Sequence, residues 1–138
     1  MASIPVFVPP LHAPGEKVAK ALALGLNAIR SEAVNYNSTT GLTVFSVPAH
    51  TLVVAVIYEA TTAWDGAIPS LALGVTGATG RHMLTSEVDV KTIGLYPVLR
   101  PYNYTADAAL IATIVASTAT VGVGYFWLLY RSYSNTNK

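Results

Sequence analysis

The residues able to do chemistry are few and scattered. Histidines stand at positions 12, 50 and 82, and none has a second histidine or a carboxylate at metal-ligand spacing. His12 falls in a proline-rich stretch, His50 just before an apolar run, and His82 beside Arg81 after a glycine-rich turn. A lone imidazole in such a place reads as a surface or turn residue. Glu59 and Asp65 are the nearest thing to a carboxylate pair, but nothing around them would drive their pKa values apart, as acid and base roles require. Ser46, Ser70 and Ser86 lie outside any G-x-S-x-G elbow, so none has a nucleophile's setting. Gly74, Gly77 and Gly80 have a spacing reminiscent of a phosphate loop, yet no Lys-Ser/Thr and no helix follows, and the stretch reads as a hairpin loop. Nucleophile, base and oxyanion donors do not converge. The expectation is a protein without catalytic residues, metal or cofactor.

Charge is as scarce as chemistry. Eight Lys and Arg stand against seven Asp and Glu in 138 residues, so charged side chains make up 11% of the chain, less than half the usual share of about 25%. The basic residues are dispersed from Lys17 to Lys138, which removes the clustered positive footprint that phosphate binding needs, and nucleic acid is not expected as a partner. With no cysteine, disulfides, thiolate metal sites and cysteine nucleophiles drop out. The length suits one domain with one core.

Two uncharged runs could explain the deficit. The run between Asp107 and Arg131 is long enough for a membrane helix. The run between Glu32 and Glu59 is just as uncharged, but contains Asn35, Asn37, Gly41, Pro48 and His50, which no lipid-facing helix would carry together. Charge poverty is therefore chain-wide. The later run also has Ser117, Thr118, Ala119 and Thr120 at its centre between Val-, Ile- and aromatic-rich flanks, the pattern of strand, turn, strand. A membrane helix over Ala108 to Tyr130 stays as the alternative, and no membrane is expected as a partner. The N-terminal stretch lacks a basic region and is broken by Pro5, Pro9, Pro10 and Pro14, unlike a secretory signal. The sequons at Asn37 and Asn103 then read as turn residues.

The elements that must position these residues are strands. Val, Ile and Thr supply 38 positions, a bias toward sheet. Short apolar segments recur over Leu42 to Val47, Thr51 to Thr62, Leu71 to Val75, Val88 to Tyr96, Ala108 to Ser117 and Val121 to Tyr133, with Gly, Pro, Asn and Asp between them. Such spacing predicts an all-β, antiparallel, jelly-roll-like sandwich. Glu16 to Ile29 carries both a helical stripe and a strand alternation, and an extended path is favoured, with room for a helical turn after Pro14. The organisation expected is an extended proline-rich arm over 1–30, a sandwich over 31–133 and a flexible tail over 134–138. On Thr51 to Thr62, strict alternation puts Leu52, Val54, Val56 and Tyr58 on one face and Val53, Ala55 and Ile57 on the other. A sandwich needs only its inner face apolar, so the second apolar face predicts a subunit partner.

The runs VPAHTLVVAVIYEATTAWDGAIPSLALGV, MLTSEVDVKTIGLY and YTADAALIATIVASTATVGVGYFWLLY resemble small structural proteins of tailed bacteriophages over roughly Leu42 to Tyr130. The shared pattern is a Pro-Ala turn into a long Val-rich strand, a Thr-Ala-aromatic-Asp-Gly turn, a Leu-x-Leu-Gly strand, an acidic loop and a Thr-rich hairpin. The resemblance is to head decoration, or cement, proteins. It implies a β-sandwich, commonly a homotrimer, that sits on the outer capsid surface and clamps neighbouring capsomers by binding the major capsid protein. It does not cover residues 1–30, which would then be an arm reaching a neighbour. On this reading Ile4, Val6, Phe7 and Val8 are arm anchors and Trp64 and Tyr96 interface aromatics on loops. A tail, connector or head-fibre component is the rival within the virion. Copy number per particle separates the two.

Overall fold

The computed structural model describes residues 26–133, and these form two antiparallel sheets packed face to face. In chain order the strands are β1 (Asn27–Arg30), β2 (Val34–Asn35), β3 (Leu42–Val47), β4 (Thr51–Thr62), β5 (Ser70–Val75), β6 (Ala78–Met83), β7 (Gly94–Tyr104), β8 (Ala108–Val115) and β9 (Val123–Ser132). A single 3₁₀ turn, Thr85–Glu87, interrupts them. One sheet runs β1-β9-β4-β7, with β2 also paired to β9, and the other runs β3-β8-β5-β6. The pairs β1/β9, β3/β8, β4/β7 and β5/β6 are nested one inside the next. The chain is thus one long hairpin rolled into two layers, which is the jelly-roll arrangement expected from the strand pattern.

The expected segments Leu42–Val47 and Thr51–Thr62 are strands with those bounds. Three expectations are corrected. Val88 to Tyr96 is not a strand: the strand begins at Gly94 and continues through Pro97 and Pro101 to Tyr104. Those prolines are tolerated because β7 is an edge strand, where a missing N–H leaves no partner unmet. The segment Gly74 to Gly80 is more than a loop, because only Thr76 and Gly77 turn, and the rest belongs to β5 and β6. The run from Ala108 to Tyr133 is strand, turn, strand, but not a hairpin, since β8 pairs with β3 and β5 while β9 pairs with β1, β2 and β4. Of the Glu16 to Ile29 stretch, only Leu26 to Ile29 is described, and Asn27–Arg30 form the sheet-edge strand β1.

Strict alternation also fails on β4, for a visible reason. The register slips between Val53 and Ala55 against β7, and across the same two residues against β9. Such a bulge inserts one residue and reverses the phase of the faces. Val53 therefore points inward together with Val56, Tyr58 and Ala60, while Ile57 and Glu59 point out. The inward set meets Phe126 and Leu128 of β9, Leu110 and Ala112 of β8, Leu71 and Leu73 of β5 and Phe45 of β3 in one continuous core.

The bulkiest part of that core depends on two glycines. Tyr58, Trp64 and Phe126 are fully buried, with the Tyr58 and Phe126 rings tilted at 58° and 5.1 Å between centroids. A Cβ at Gly124 would land on the Tyr58 hydroxyl and ring, and one at Gly122 on the Trp64 indole. Gly122 also has φ +148, which side chains with a Cβ rarely adopt. The Tyr58 hydroxyl and the Trp64 Nε1 are buried without a hydrogen-bond partner among the described residues. Burial accordingly pushes the Tyr58 phenol up to about 12.

The side of the sandwich where β6 faces β7 is closed by polar contacts. His82 Nε2 lies 2.6 Å from the Tyr104 hydroxyl, linking one sheet to the other. The Arg81 guanidinium sits 4.0 Å above the Tyr102 ring, and Arg100 Nη1 donates to Glu87 at 3.0 Å. His82 is thus a core residue rather than the surface residue expected, because β6 carries it against Tyr102 and Tyr104 of the opposite sheet, and it is buried together with its neighbour Met83. Burial, helped by Arg81 and Arg100, lowers its pKa from 6.5 to about 4.

Two outcomes follow from this packing. Gly124→Ala overpacks the Tyr58 site and should cost about 2 kcal/mol or more, a fall of roughly 10 °C in Tm for a domain of this size. Tyr58→Phe keeps the ring, removes an unpaired hydroxyl and should leave Tm unchanged or higher. The second outcome concerns pH. Because the folded chain resists protonating His82, the unfolded chain binds the extra proton between pH 6.5 and about 4, and stability falls as pH drops through that window. His82→Gln should flatten the Tm profile there, leaving the loss below pH 4 that reflects carboxylates such as Asp65, held down to about 2 by hydrogen bonds from Thr120 and Val121. An unaltered slope in the variant would show that His82 is not the group responsible.

Candidate functional site

The outward face of the β1-β9-β4-β7 sheet is built by residues directly opposite one another across strands, which share a face. Its rows follow the register: Leu99, Ala55, Leu129 and Ala28; then Pro97, Ile57, Trp127 and Arg30; then Leu95, Glu59 and Tyr125. Leu95 is 64% and Leu99 75% exposed. These three rows carry two charges, and aromatic side chains hold both; the next row, Asn103, Leu52 and Arg131, adds a third. The Arg30 guanidinium lies 4.3 Å above the Tyr125 ring and 5.9 Å from that of Trp127, and the Trp127 Nε1–H donates to Glu59 Oε1 at 2.9 Å. Four strands about 4.8 Å apart and three rows about 6.8 Å apart make a patch on the order of 400 Å². That is the size of the largest apolar patches on soluble monomers, which commonly mark binding sites.

A second apolar surface sits at the end of the sandwich where β4, β6 and β8 finish. Ile68 is 79% and Ile93 65% exposed there, beside exposed Val115 and Val121. The loops carrying them are tied together. The Asp65 carboxylate accepts from the Thr120 N–H at 2.6 Å, the Thr120 hydroxyl at 2.5 Å and the Val121 N–H at 3.1 Å. Lys91 Nζ donates to the Gly66 carbonyl at 2.6 Å, and the Trp64 N–H to the Val90 carbonyl at 2.9 Å. The Ala67 and Ile68 N–H groups donate to Thr118 and Ser117 hydroxyls. An aliphatic surface held this way loses little loop entropy when a partner covers it.

The expected interface residues fall differently. Ile4, Val6, Phe7 and Val8 lie outside the described residues. Trp64 is 1% exposed, enclosed by its own chain under Gly122, so its indole supports the loops instead of facing a partner. Tyr96 is half-buried, packs against the core and donates its hydroxyl to the Thr92 carbonyl at 2.7 Å. Its neighbours in sequence, Leu95, Pro97 and Leu99, occupy the outer face. The alternation in GLYPVLRP could have revealed them had Pro97 been read as an edge-strand residue.

His50, half-buried, has φ 64 at the turn between β3 and β4 and stacks edge-on with Tyr133 at 5.7 Å. Among the described residues no three His, Asp or Glu side chains gather where a metal could bind. No helix among them is long and apolar enough to cross a membrane, and the segment named as an alternative span is β8, a turn and β9.

No protein-family model matches the chain, and no curated protein sequence does. Solved structures do. A chain of the cyanophage Pam1 capsid asymmetric unit aligns with a TM-score of 0.59 and 20% identity over 94% of this chain and 95% of that one. A chain of the acidic stable capsid structure of Helicobacter pylori bacteriophage KHP30 aligns with a TM-score of 0.60 and 15% identity over 76% of this chain and 86% of that one. At those identities the likeness is one of fold, and the chain shares its β-sandwich with chains found in two phage capsid structures.

Proposed function

We propose that this chain is a structural protein of a tailed-phage virion that decorates the outer capsid surface. It binds the major capsid protein as a homotrimer and stabilises the shell. The observation that carries the reading is the outer sheet face, whose apolar side chains are left uncovered by the described residues. The fold shared with chains of phage capsid structures supports it. So does the charge deficit, because surfaces buried in an assembly need few charges.

Areas decide how the surfaces divide the work. A stable interface buries about 800 Å² per partner, twice the outer-face patch, so one patch cannot serve both self-association and shell binding. The outer face and the rigid loop end together supply two distinct surfaces, as a trimer seated on a lattice requires. Stabilisation then follows from mass action: contacts present only in the assembled lattice favour that lattice over its dissociated state, and many copies add their small terms. No catalytic step, cofactor or nucleic acid enters this mechanism.

The test is reconstitution on shells that lack the protein. Wild-type chain should bind in hundreds of copies and raise the heat and osmotic-shock resistance of the shells. Leu95→Glu combined with Leu99→Glu places two charges on exposed positions, so the isolated fold should keep its Tm within a few degrees while occupancy falls at least tenfold. Shells equally robust with and without the protein would contradict the stabilising role, and a copy number of six or twelve would move the chain to a connector or fibre.

A further inference from the structure

The sandwich has two sides at which an edge strand of one sheet faces an edge strand of the other. Where β6 meets β7, the His82–Tyr104 and Arg81–Tyr102 contacts close it. Where β3 meets β1, the side is open as a groove of about 370 Å³ walled by Ile29, Val44, Val47, Leu128 and Tyr130, with Arg30 and Glu32 also lining it on the β1 side. Thr51 also lines this groove; it is fully buried, and its hydroxyl has no hydrogen-bond partner among the described residues.

Exposed strand edges recruit further strands unless something blocks them. Edge strand β7 carries Pro97, Arg100 and Pro101, β6 carries Gly80 and Arg81, and β1 is a four-residue strand with Arg30 at its end. Edge strand β3, LTVFSV, has no proline, glycine or charge, and pairs on one side with β8. A register slip between Thr43 and Phe45 lets adjacent Val44 and Phe45 both pack on the core, so the strand already turns extra apolar surface toward the groove.

We propose that this groove and the open edge of β3 receive the segment Ile4–Val8 of a second copy of the chain as an added strand, an inference that rests on the homo-oligomer proposed above. Positions 1–25 of the sequence precede Leu26, and Leu26 precedes β1, whose Asn27 lies opposite the groove residue Tyr130. Within those positions Val6, Phe7 and Val8 form the one run of three β-branched or aromatic side chains. Pro5 and Pro9 bracket it, which limits it to a short strand. Positions 1–15 carry no Asp, Glu, Lys or Arg, in keeping with the uncharged edge. Pro9, Pro10 and Pro14 stiffen the connection between that run and β1. At roughly 3.3 Å per residue the path from Val8 to Leu26 can span about 60 Å, against about 40 Å for β4. The segment is therefore long enough to pass its own sandwich and meet a neighbour.

Because the chain has no cysteine, single-cysteine variants give an unambiguous test. Val8→Cys mixed with Ser46→Cys under mild oxidation should form a mixed disulfide in most molecules. Thr76→Cys, at the β5–β6 turn, should not pair with Val8→Cys. Thr43→Lys, which charges the edge, should reduce the Ser46 cross-link at least tenfold without lowering Tm. Deleting residues 1–15 should raise the concentration needed for self-association at least tenfold by light scattering. No mixed disulfide, or closure within one chain when both cysteines are on the same molecule, overturns the exchange. A truncated chain that stays a trimer overturns it while leaving the homo-oligomer standing. A full-length chain that is monomeric at every concentration removes both.

Discussion

Strand β4 is the constraint on which the molecule depends. It is paired along most of its length on both sides, by β9 and β7, and its bulge after Val53 sets which residues of the sheet face the core. Ahead of the bulge Val53 is inward; beyond it Val56, Tyr58 and Ala60 are. Were the alternation unbroken, Val53 would turn outward or Tyr58 would, and the packing of Tyr58 over Gly124, which leaves no room for a Cβ, would be lost. The same phase puts Ile57 outside between Pro97 and Trp127. One inserted residue thus fixes both the interior and the apolar exterior.

The nested pairing makes this constraint non-local. β1 and β9, which start and finish the described sandwich, are neighbours, and so are β3 and β8. Such pairings close long loops before any contact compensates their entropy. Hydrogen bonds between loops then fix the free end: Asp65 reaches Thr120 and Val121 across the sandwich, and Lys91 reaches Gly66. The result is a body whose exposed aliphatics, Ile68 and Ile93 at the loop end and Leu95 and Leu99 on the sheet, are held in place before any partner arrives. A surface held in this way loses little entropy when a partner covers it, which suits the lattice role proposed.

Much of this was legible in the residues, and what was hidden was hidden for physical reasons. Long β-branched runs with turn residues at each end gave away β3 and β4 to the residue, because period and punctuation agreed. The bulge was invisible, since Val53, Val54, Ala55 and Val56 are all apolar and either phase buries hydrophobic surface. The extent of β7 is hidden because Pro97 and Pro101 look like breakers until the strand is known to be an edge. β6 is hidden by the glycines that dominate the approach to ATGRHM, and with it the burial of His82. The surplus of apolar faces is readable in the sequence, but the place of Trp64 is not, since its own chain encloses it. Loop aromatics followed by Asp-Gly can cap a core as readily as meet a neighbour.

The central claim is that the outer face of the β7 side of the sheet is covered in the assembled particle. Hydroxyl-radical footprinting read by mass spectrometry reports side-chain accessibility residue by residue, in the free chain and on the shell. Oxidation of Leu95 and Leu99 should fall at least tenfold on assembly, while exposed side chains at the opposite, turn end of β5 and β6 stay reactive. Equal labelling of Leu95 and Leu99 in the free and shell-bound protein would contradict it.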